Sequence, residues 1–538
     1  MPGSLSDMKA ADVAHLEVVQ FSSSEYETQL LVDRGNIIIE EERNYSIWQA
    51  LKKNKRAAGY AALSFSGGLA FGYDTIVNGA TVAMPAFILT FGETGPTGPY
   101  LPSTWTSLWI SMSALVQTLT ALSGGWVADR WGRKWPASAS GILTLIGTAM
   151  QYVTTTRALL LGGKMTTGAG LGIAMSIATS YASEVSPLNL RGPIQSALVL
   201  ATLFTQGAAL GVIRAFVPDL QPSSFRTVFA IQWAVGGLVV IAFAIAPESP
   251  VYLIKKGRVA EALNIMRKLY SPKNDPDARL ACLIRTLREE KESSHGEDGS
   301  FMECFRGANL KRTTTALLIY SCQNFAGAAF LSNALYFLII AGLKPIHAFD
   351  IGIGGFGLAC VTIIALWFVG DKIKGRTMYF AGLSINTAFM LIVGCLYYAS
   401  GVGPIWTIAV LMSVAAAALQ GLVQGSGFPI AAQVSKLSLR AKTISLAVAG
   451  QTFTTWLTLF IMPYIYNVDA GNLLARTGFI FAGTGLFLFV ASWYLIPDTT
   501  GMDAEDIDFA YENKIPAWSM NLAAVQHRHL PDTRKQEA

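Results

Sequence analysis

Charge is scarce in this chain. Asp, Glu, Lys and Arg supply 14% of its 538 residues, where a soluble domain carries about 25%. That deficit excludes an ordinary water-solvated globule and points to lipid as the solvent for much of the chain. Cysteine is also sparse. Cys282, Cys304, Cys322, Cys360 and Cys395 are five in number, scattered and without CxxC or Cys/His spacing. They fit neither a disulfide framework nor a metal site, and read as reduced thiols or small core residues. The net charge of +5 is small, and no stripe of basic and aromatic residues points to nucleic acid. No nucleotide-binding loop, metal-ligand cluster or nucleophile motif appears, so neither an enzyme nor a cofactor is expected. The first 56 residues lack a basic start followed by an apolar core. No cleavable signal peptide is expected, and the first membrane helix itself would direct insertion.

Long apolar runs are abundant. Hydrophobic residues make up 52% of the chain, and a spanning helix needs ~20 of them in a row. Twelve segments qualify, near 57–90, 105–127, 136–154, 157–183, 193–215 and 227–246, then 313–341, 347–369, 377–399, 405–431, 443–466 and 476–496. The predicted organisation is a polar tail (1–56), a six-helix bundle (57–246), a charged loop with amphipathic helices (247–312), a second six-helix bundle (313–496) and a tail (497–538). Lys and Arg gather in alternate loops: Arg130, Arg133 and Lys134; Lys372, Lys374 and Arg376; Lys436, Arg440 and Lys442; and the central loop. The positive-inside rule then places both termini in the cytosol.

The two halves repeat. EVSPLNLR at 184–191 answers QVSKLSLR at 433–440, and PES at 247–249 answers PDT at 497–499. Gly132–Arg133 answers Gly375–Arg376 in the same way. A duplicated unit of this kind places its substrate site between the halves, near mid-membrane. GGWVADRWGRK at 124–134 sits at a helix–loop–helix junction. Gly125 is expected to allow close helix approach there, and Asp129 to pair with cations or a helix N-terminus. Arg130, Arg133 and Lys134 are expected to pair with carboxylates such as Glu184 and Glu248, with ion pairs made in one state and broken in another. Arg191, Arg376, Gln433 and Arg440, from the repeated motifs, complete the gating set. The plainer alternative is a topology anchor.

Two further features lie inside apolar runs. Asp74 stands in FGYDT, and a carboxylate at that depth is costly enough to be paired or functional. The amides Gln206, Gln232, Gln323, Asn324, Asn333, Gln420, Gln424, Gln433 and Gln451 carry both donors and acceptors, as a neutral polyol requires. They also suit interhelical contacts.

The GxxxDRxGRK pattern resembles the signature of the major facilitator superfamily. YASEVSPLNLRG (181–192) and PESPVYLIKKGR (247–258) resemble its sugar-porter branch. CQNFAGAAFLSNALYFLIIAGL (322–343), LRAKT (439–443) and PDTTGMDAEDIDFAYENKIPAW (497–518) resemble the fungal maltose and α-glucoside permeases. The resemblance covers about residues 57 to 518. It implies an all-α membrane protein of the major facilitator fold, with twelve transmembrane helices in two six-helix halves. It also implies that Asp74 binds the coupling proton. The cation that serves it, an Arg in relatives, is here Lys164 of GKMTTGAGLG. Lys lacks the bidentate fork of Arg; the alternative reading is a static interhelical ion pair.

Gln323 matches the first amide of the family's sugar-binding pair and Asn324 follows it, with Tyr336 and Phe428 as further substrate contacts. Other contact positions depart from the pattern. Val199 and Ala328 stand at family polar positions, Phe428 at a Trp or Tyr place, Gln433 at an acidic one, and Phe453–Thr454 at an Asn–Trp pair. A site that loses hydrogen-bonding groups loses discrimination for hydroxyls. The expected function is proton-coupled uptake of a sugar or α-glucoside by alternating access, at the plasma membrane, with membrane lipid around it and no obligate protein partner. The alternatives are transport or export of a more hydrophobic metabolite, and a non-transporting nutrient sensor. Against the sensor, the segment after Pro497 is short.

Overall fold

The structure is a computed structural model that describes residues 25–520, apart from 44, 96–97, 272–273, 297–300, 370–372, 400–401, 437–438, 468, 501, 503 and 514. Lys372 and residues 1–24 and 521–538 of the predicted tails lie outside the described residues. Among the described residues, eight helices are long and apolar enough to cross a membrane, and two bent pairs raise the number to ten. The other two predicted segments are also helices, Ser103–Trp131 and Lys134–Tyr152. Ser, Thr, Gly and Gln dilute their apolar character. Many of those polar groups face inward: Ser107, Ser111, Ser140, Thr144, Thr148 and Gln151 are all buried. Each of the twelve predicted segments is therefore helical.

Local chemistry sets the breaks. The first span, Lys55–Ala83, turns by 69° into Pro85–Phe91. Met84 between them is extended, with φ −70° and ψ 131°, as the residue before a proline prefers. The seventh span bends by 49° between Gly307–Ser332 and Ala334–Ile340. Just before that bend, residues Asn324–Ala328 form a π turn in which Gly327 has φ +111°. A second π turn, Leu419–Gln424, interrupts the tenth span. Such π turns recur at functional sites.

Contacts divide the chain into two units. The first holds residues 1–75, 116–206 and 229–298, and the second holds 76–115, 207–228 and 299–538. In the first unit, Lys134–Tyr152 and Arg157–Val185 approach through small residues. A Cβ on Gly147 would lie 2.6 Å from the Thr167 nitrogen, and one on Gly170 would lie 2.6 Å from the Ser140 oxygen. Packing at this range draws membrane helices together without a hydrophobic driving force. The core of this unit runs on through Leu171, Ile177, Ala178 and Tyr181 into central-loop residues Leu253, Leu263, Met266 and Leu269.

The polar N-terminal region contributes a helix, Glu25–Arg43. It packs on central-loop helix Pro276–Gly296 where Gly35 leaves room for the Ala278 carbonyl. Arg279 grips Glu42 in two-point fashion, at 2.5 and 3.2 Å. Both side chains are buried, at 7% and 3% exposed. Asn54 donates to Glu42 at 2.8 Å, and Asn274 donates to Asn54 at 3.0 Å. Removing one partner of a buried pair strands the other. Glu42→Ala is expected to weaken docking of this helix by about 3–5 kcal/mol. Amide exchange across residues 32–42 should then accelerate, with the membrane helices unchanged.

In the second unit, Ala316, Ile319, Tyr379, Leu383, Val423 and Leu488 form part of an apolar core that continues into Ile507, Ala510 and Tyr511 of the short helix Ala504–Glu512. Arg312 holds that helix through Asp508 and lies 4.7 Å from the Tyr511 ring. Phe87, Phe91, Trp109 and Phe225 form a separate aromatic cluster of edge-to-face and tilted pairs in the same unit.

Candidate functional site

Asp74 lies on helix Phe65–Ala80 and is 5% exposed. Lys164, on Arg157–Val185, is 1% exposed. The two charges act on each other within the first unit. A third group completes the set. Gln232, on Pro222–Ile245, donates from Nε2 to Asp74 Oδ1 at 2.9 Å. Thr148 reaches Gln232 Oε1 at 3.5 Å, and Thr167 donates to the Lys164 carbonyl at 3.0 Å. The acid thus sits among one cation, one amide and hydroxyl-bearing helices, in a setting nearly closed to water. Gln232 was one amide among nine in the sequence. Its segment is apolar nearly all round, so periodicity cannot say which face it presents.

The charge network at the 124–134 junction is also in the first unit. Arg133 is its hub. Its guanidinium donates to Glu184 at 2.8 and 3.2 Å, to Asp129 at 3.1 Å and to the Ala128 carbonyl at 3.0 Å. Glu248 acts on the backbone instead. It accepts the N–H groups of Arg133 at 2.8 Å, Lys134 at 3.3 Å and Ser249 at 2.9 Å. This puts a carboxylate at the N-terminus of Lys134–Tyr152, where free N–H groups and the helix dipole favour it. Gly132 makes the turn with φ +90°, and a Cβ there would lie 2.3 Å from Glu248 Oε2.

Three expectations are corrected by this geometry. Arg130 and Lys134 do not share the carboxylates; they lie 5.8 Å from the rings of Trp126 and Trp135. Glu248 binds main-chain donors rather than a guanidinium, because the turn brings those donors to it first. Gly125 is exposed and a Cβ there would meet nothing, whereas one on Gly124 would lie 3.0 Å from Ser176. The close approach belongs to Gly124. Arg191 is exposed, and its charge reaches Tyr270 of the central loop.

The matching junction in the second unit is built differently. Arg376 donates to the carbonyls of Trp493 at 3.2 Å and Trp518 at 3.3 Å, with its cation 5.1 Å from the Trp493 ring. Gln433, where the first unit has Glu184, accepts the Thr499 hydroxyl at 2.6 Å. Lys374 pairs with Asp498 at 2.9 Å. Burial opposes the Asp498 charge, but Lys374 and Thr500 hold its carboxyl below the usual range. That contribution to stability is present above the ordinary carboxylate pKa and fades as acidification titrates Asp498. Arg440 keeps a buried Nε without a partner among the described residues. Gln433→Glu should draw Arg376 off its carbonyls and even out the two junctions. Unchanged transport kinetics in that variant would make the asymmetry inconsequential.

Gln323, half-buried, ends helix Gly307–Gln323 immediately before the π turn. Asn324 does not offer its NH₂ group to a ligand. Its Nδ2 contacts Gln451 O at 3.0 Å and the Thr454 and Thr455 hydroxyls at 2.9 Å each. It ties the turn to helix Arg440–Tyr466. Tyr336 is buried, and its hydroxyl accepts the Leu101 N–H at 3.1 Å. Phe428 stacks on Tyr320, with centroids 4.4 Å apart and planes at 19°. Tyr320 was missing from the sequence-derived set, because an aromatic in an apolar run carries no mark of its partner. Val199 and Phe453 are both exposed.

The chain resembles known proteins along most of its length. The family description "Sugar (and other) transporter" matches residues 60–511. MFS transporter fmqE of Aspergillus fumigatus is 39% identical over 482 residues, covering 88% of this chain and 90% of that one. The general alpha-glucoside permease of Saccharomyces cerevisiae is 28% identical over 497 residues, covering 90% and 80%. Among solved structures, the xylose transporter XylE from E. coli in a partially occluded inward open conformation superposes with a TM-score of 0.66 at 18% identity. That match covers 84% of this chain and all of the other, and it speaks to fold. Family description, relatives and fold agree, and the chain belongs to the sugar (and other) transporter family as a multi-pass membrane transporter of the major facilitator fold.

Proposed function

We propose that this protein imports a sugar or α-glucoside together with a proton, by alternating access across the plasma membrane, with both termini in the cytosol. The observation that carries the reading is the buried Asp74 carboxylate, hydrogen-bonded by Gln232 and acting on the Lys164 charge. A carboxylate held this way is ionised while its cation and amide face it in a dry setting. When the cation and amide withdraw while the carboxylate stays shielded, a proton, delivered through water at the open side, replaces the lost neutralisation. Protonation and conformation then change together, and one cannot complete a cycle without the other. The α-glucoside permease relative supports the substrate class. Gln323, at the π turn, is the proposed polar contact, with Tyr320 and Phe428 as an aromatic wall for a sugar face.

One observation favours a second reading. The Asn324 NH₂ group is spent on the eleventh helix, and Phe428 is packed on another aromatic. The first takes a polar group out of a polyol's reach and the second is an apolar surface, which suits a more apolar cargo. Uptake of maltose, other α-glucosides and xylose into proteoliposomes under an inward proton gradient decides between them. Accumulation of one of these sugars supports the first reading. If none is taken up, and the same vesicles move a hydrophobic compound in exchange for protons, the second takes its place.

A further inference from the structure

Away from the basic loops, a polar network, buried except at the exposed Asp469, joins distant parts of the chain inside the second unit. Asp469 lies in the loop between Arg440–Tyr466 and Thr477–Leu495. Its Oδ2 accepts the Ser103 backbone N–H at 2.8 Å, and its Oδ1 accepts the Ser103 hydroxyl. Asn467, fully buried, donates to the Leu101 carbonyl at 2.7 Å and to Ser103 Oγ at 3.2 Å. Ser107 donates to the Phe460 carbonyl at 2.8 Å. Tyr336 accepts the Leu101 N–H from a third element. An ion pair between Arg214 and Asp350 in the same unit is exposed, and such a pair adds little.

Ser103 begins the long helix Ser103–Trp131. The first N–H groups of a helix have no internal acceptor and are met by a cap, by water or by another group. The residue before Ser103 is Pro102, which has no side-chain acceptor to offer. The acceptor comes instead from Asp469, 366 positions away. Leu101 and Ser103 are buried, so while Asp469 and Asn467 stay in place no water is needed. If residues 101–107 and 460–469 part, an N–H, a hydroxyl and a carbonyl each need a new partner. Only water reaching that end of the molecule supplies all three. The network therefore has two satisfied arrangements, one joined with Leu101, Ser103 and Asn467 buried, the other parted with water on those groups.

We propose that Asp469, seconded by Asn467, is the latch that holds the outer end of the transport path shut. This rests on the alternating-access reading and on the orientation proposed above. Asp469 acts through the helix it caps, as a positioning residue for the transport cycle. The positions 467–469 are otherwise an unremarked loop between two spans, and no charge or amide pattern in the sequence points to them.

The test uses the full chain in intact cells. Ser111 is fully buried, one helical turn beyond Ser107, and Ser111→Cys provides a reporter of similar size. A membrane-impermeant maleimide is added from outside, and labelling is read as the increment over the same chain with Ser111 restored. In an Asp469→Ala background, labelling should accelerate about fivefold, the scale of losing one helix cap. Asp469→Asn, which keeps an acceptor, should fall between, and Asp469→Glu should restore most of the protection. If Asp469→Ala does not fold, Asp469→Asn and Ser103→Ala carry the test, with about twofold increases expected. Unchanged labelling in folded variants, from either side of the membrane, overturns the latch. Faster labelling only in inverted vesicles keeps the latch and overturns the orientation. A purely structural cap would lower thermal stability and leave the labelling rate of the folded protein alone.

Discussion

Asp74→Asn is expected to abolish accumulation of substrate against its gradient while exchange of substrate across the membrane continues. Asn keeps the shape of Asp and an acceptor for the Gln232 amide, which donates to Asp74 at 2.9 Å. It cannot carry a negative charge, so proton binding no longer distinguishes one conformation from another. Exchange needs only that the loaded carrier cross, and should stay within about threefold of wild type. The measurement is counterflow and net uptake in the same proteoliposome preparation. Lys164 supplies the complementary case. Lys164→Met leaves a buried carboxylate without its cation, at a cost of about 3–5 kcal/mol. The double variant Asp74→Asn, Lys164→Gln should recover most of that stability and none of the coupling. Loss of both exchange and accumulation in a well-folded Asp74→Asn protein would place Asp74 in the general structure of the carrier instead.

Arg133→Ala is expected to lower stability by a similar amount. The Arg133 side chain is 5% exposed and meets Glu184 as well as Asp129 and a carbonyl. Truncation leaves Glu184, itself 14% exposed, without its cation. A loss of about 3–5 kcal/mol follows for a broken buried pair, visible as a lowered unfolding midpoint in detergent. Arg376→Ala, at the matching position, should cost clearly less. Its guanidinium serves carbonyls and aromatic faces, and its removal strands no carboxylate, because Gln433 replaces the acid. Equal losses at the two sites would show that the junctions are held by packing rather than by charge.

The helices are legible in the sequence because lipid imposes a simple rule: ~20 apolar residues for each crossing. All twelve segments follow it well enough to be found, including two whose buried hydroxyls lower their hydropathy. The Arg133–Glu184 contact is legible for a related reason, since an arginine repeated in both halves at a helix junction, with an acid in the neighbouring repeated motif, has few places to go. The choice among Arg130, Arg133 and Lys134 is not legible, because it depends on which way the Gly132 turn points each side chain. Gly124 and Gly125 are likewise equivalent in sequence and differ only in helical phase. The partner of Gln232, and Asp469 altogether, were missed for opposite reasons. Gln232 is hidden in a segment with no polar face to mark its direction. The other stands in a loop, where an acidic residue reads as solvated until a distant helix is seen to start against it.

Proton movement driven by substrate alone bears most directly on the role of Asp74. Proteoliposomes are loaded with a pH-sensitive dye and held without a membrane potential, and the transported sugar is added outside. The expected result is acidification of the lumen by wild type and none by Asp74→Asn at equal protein density. Acidification at the same rate in both would contradict the assignment of the coupling proton to Asp74.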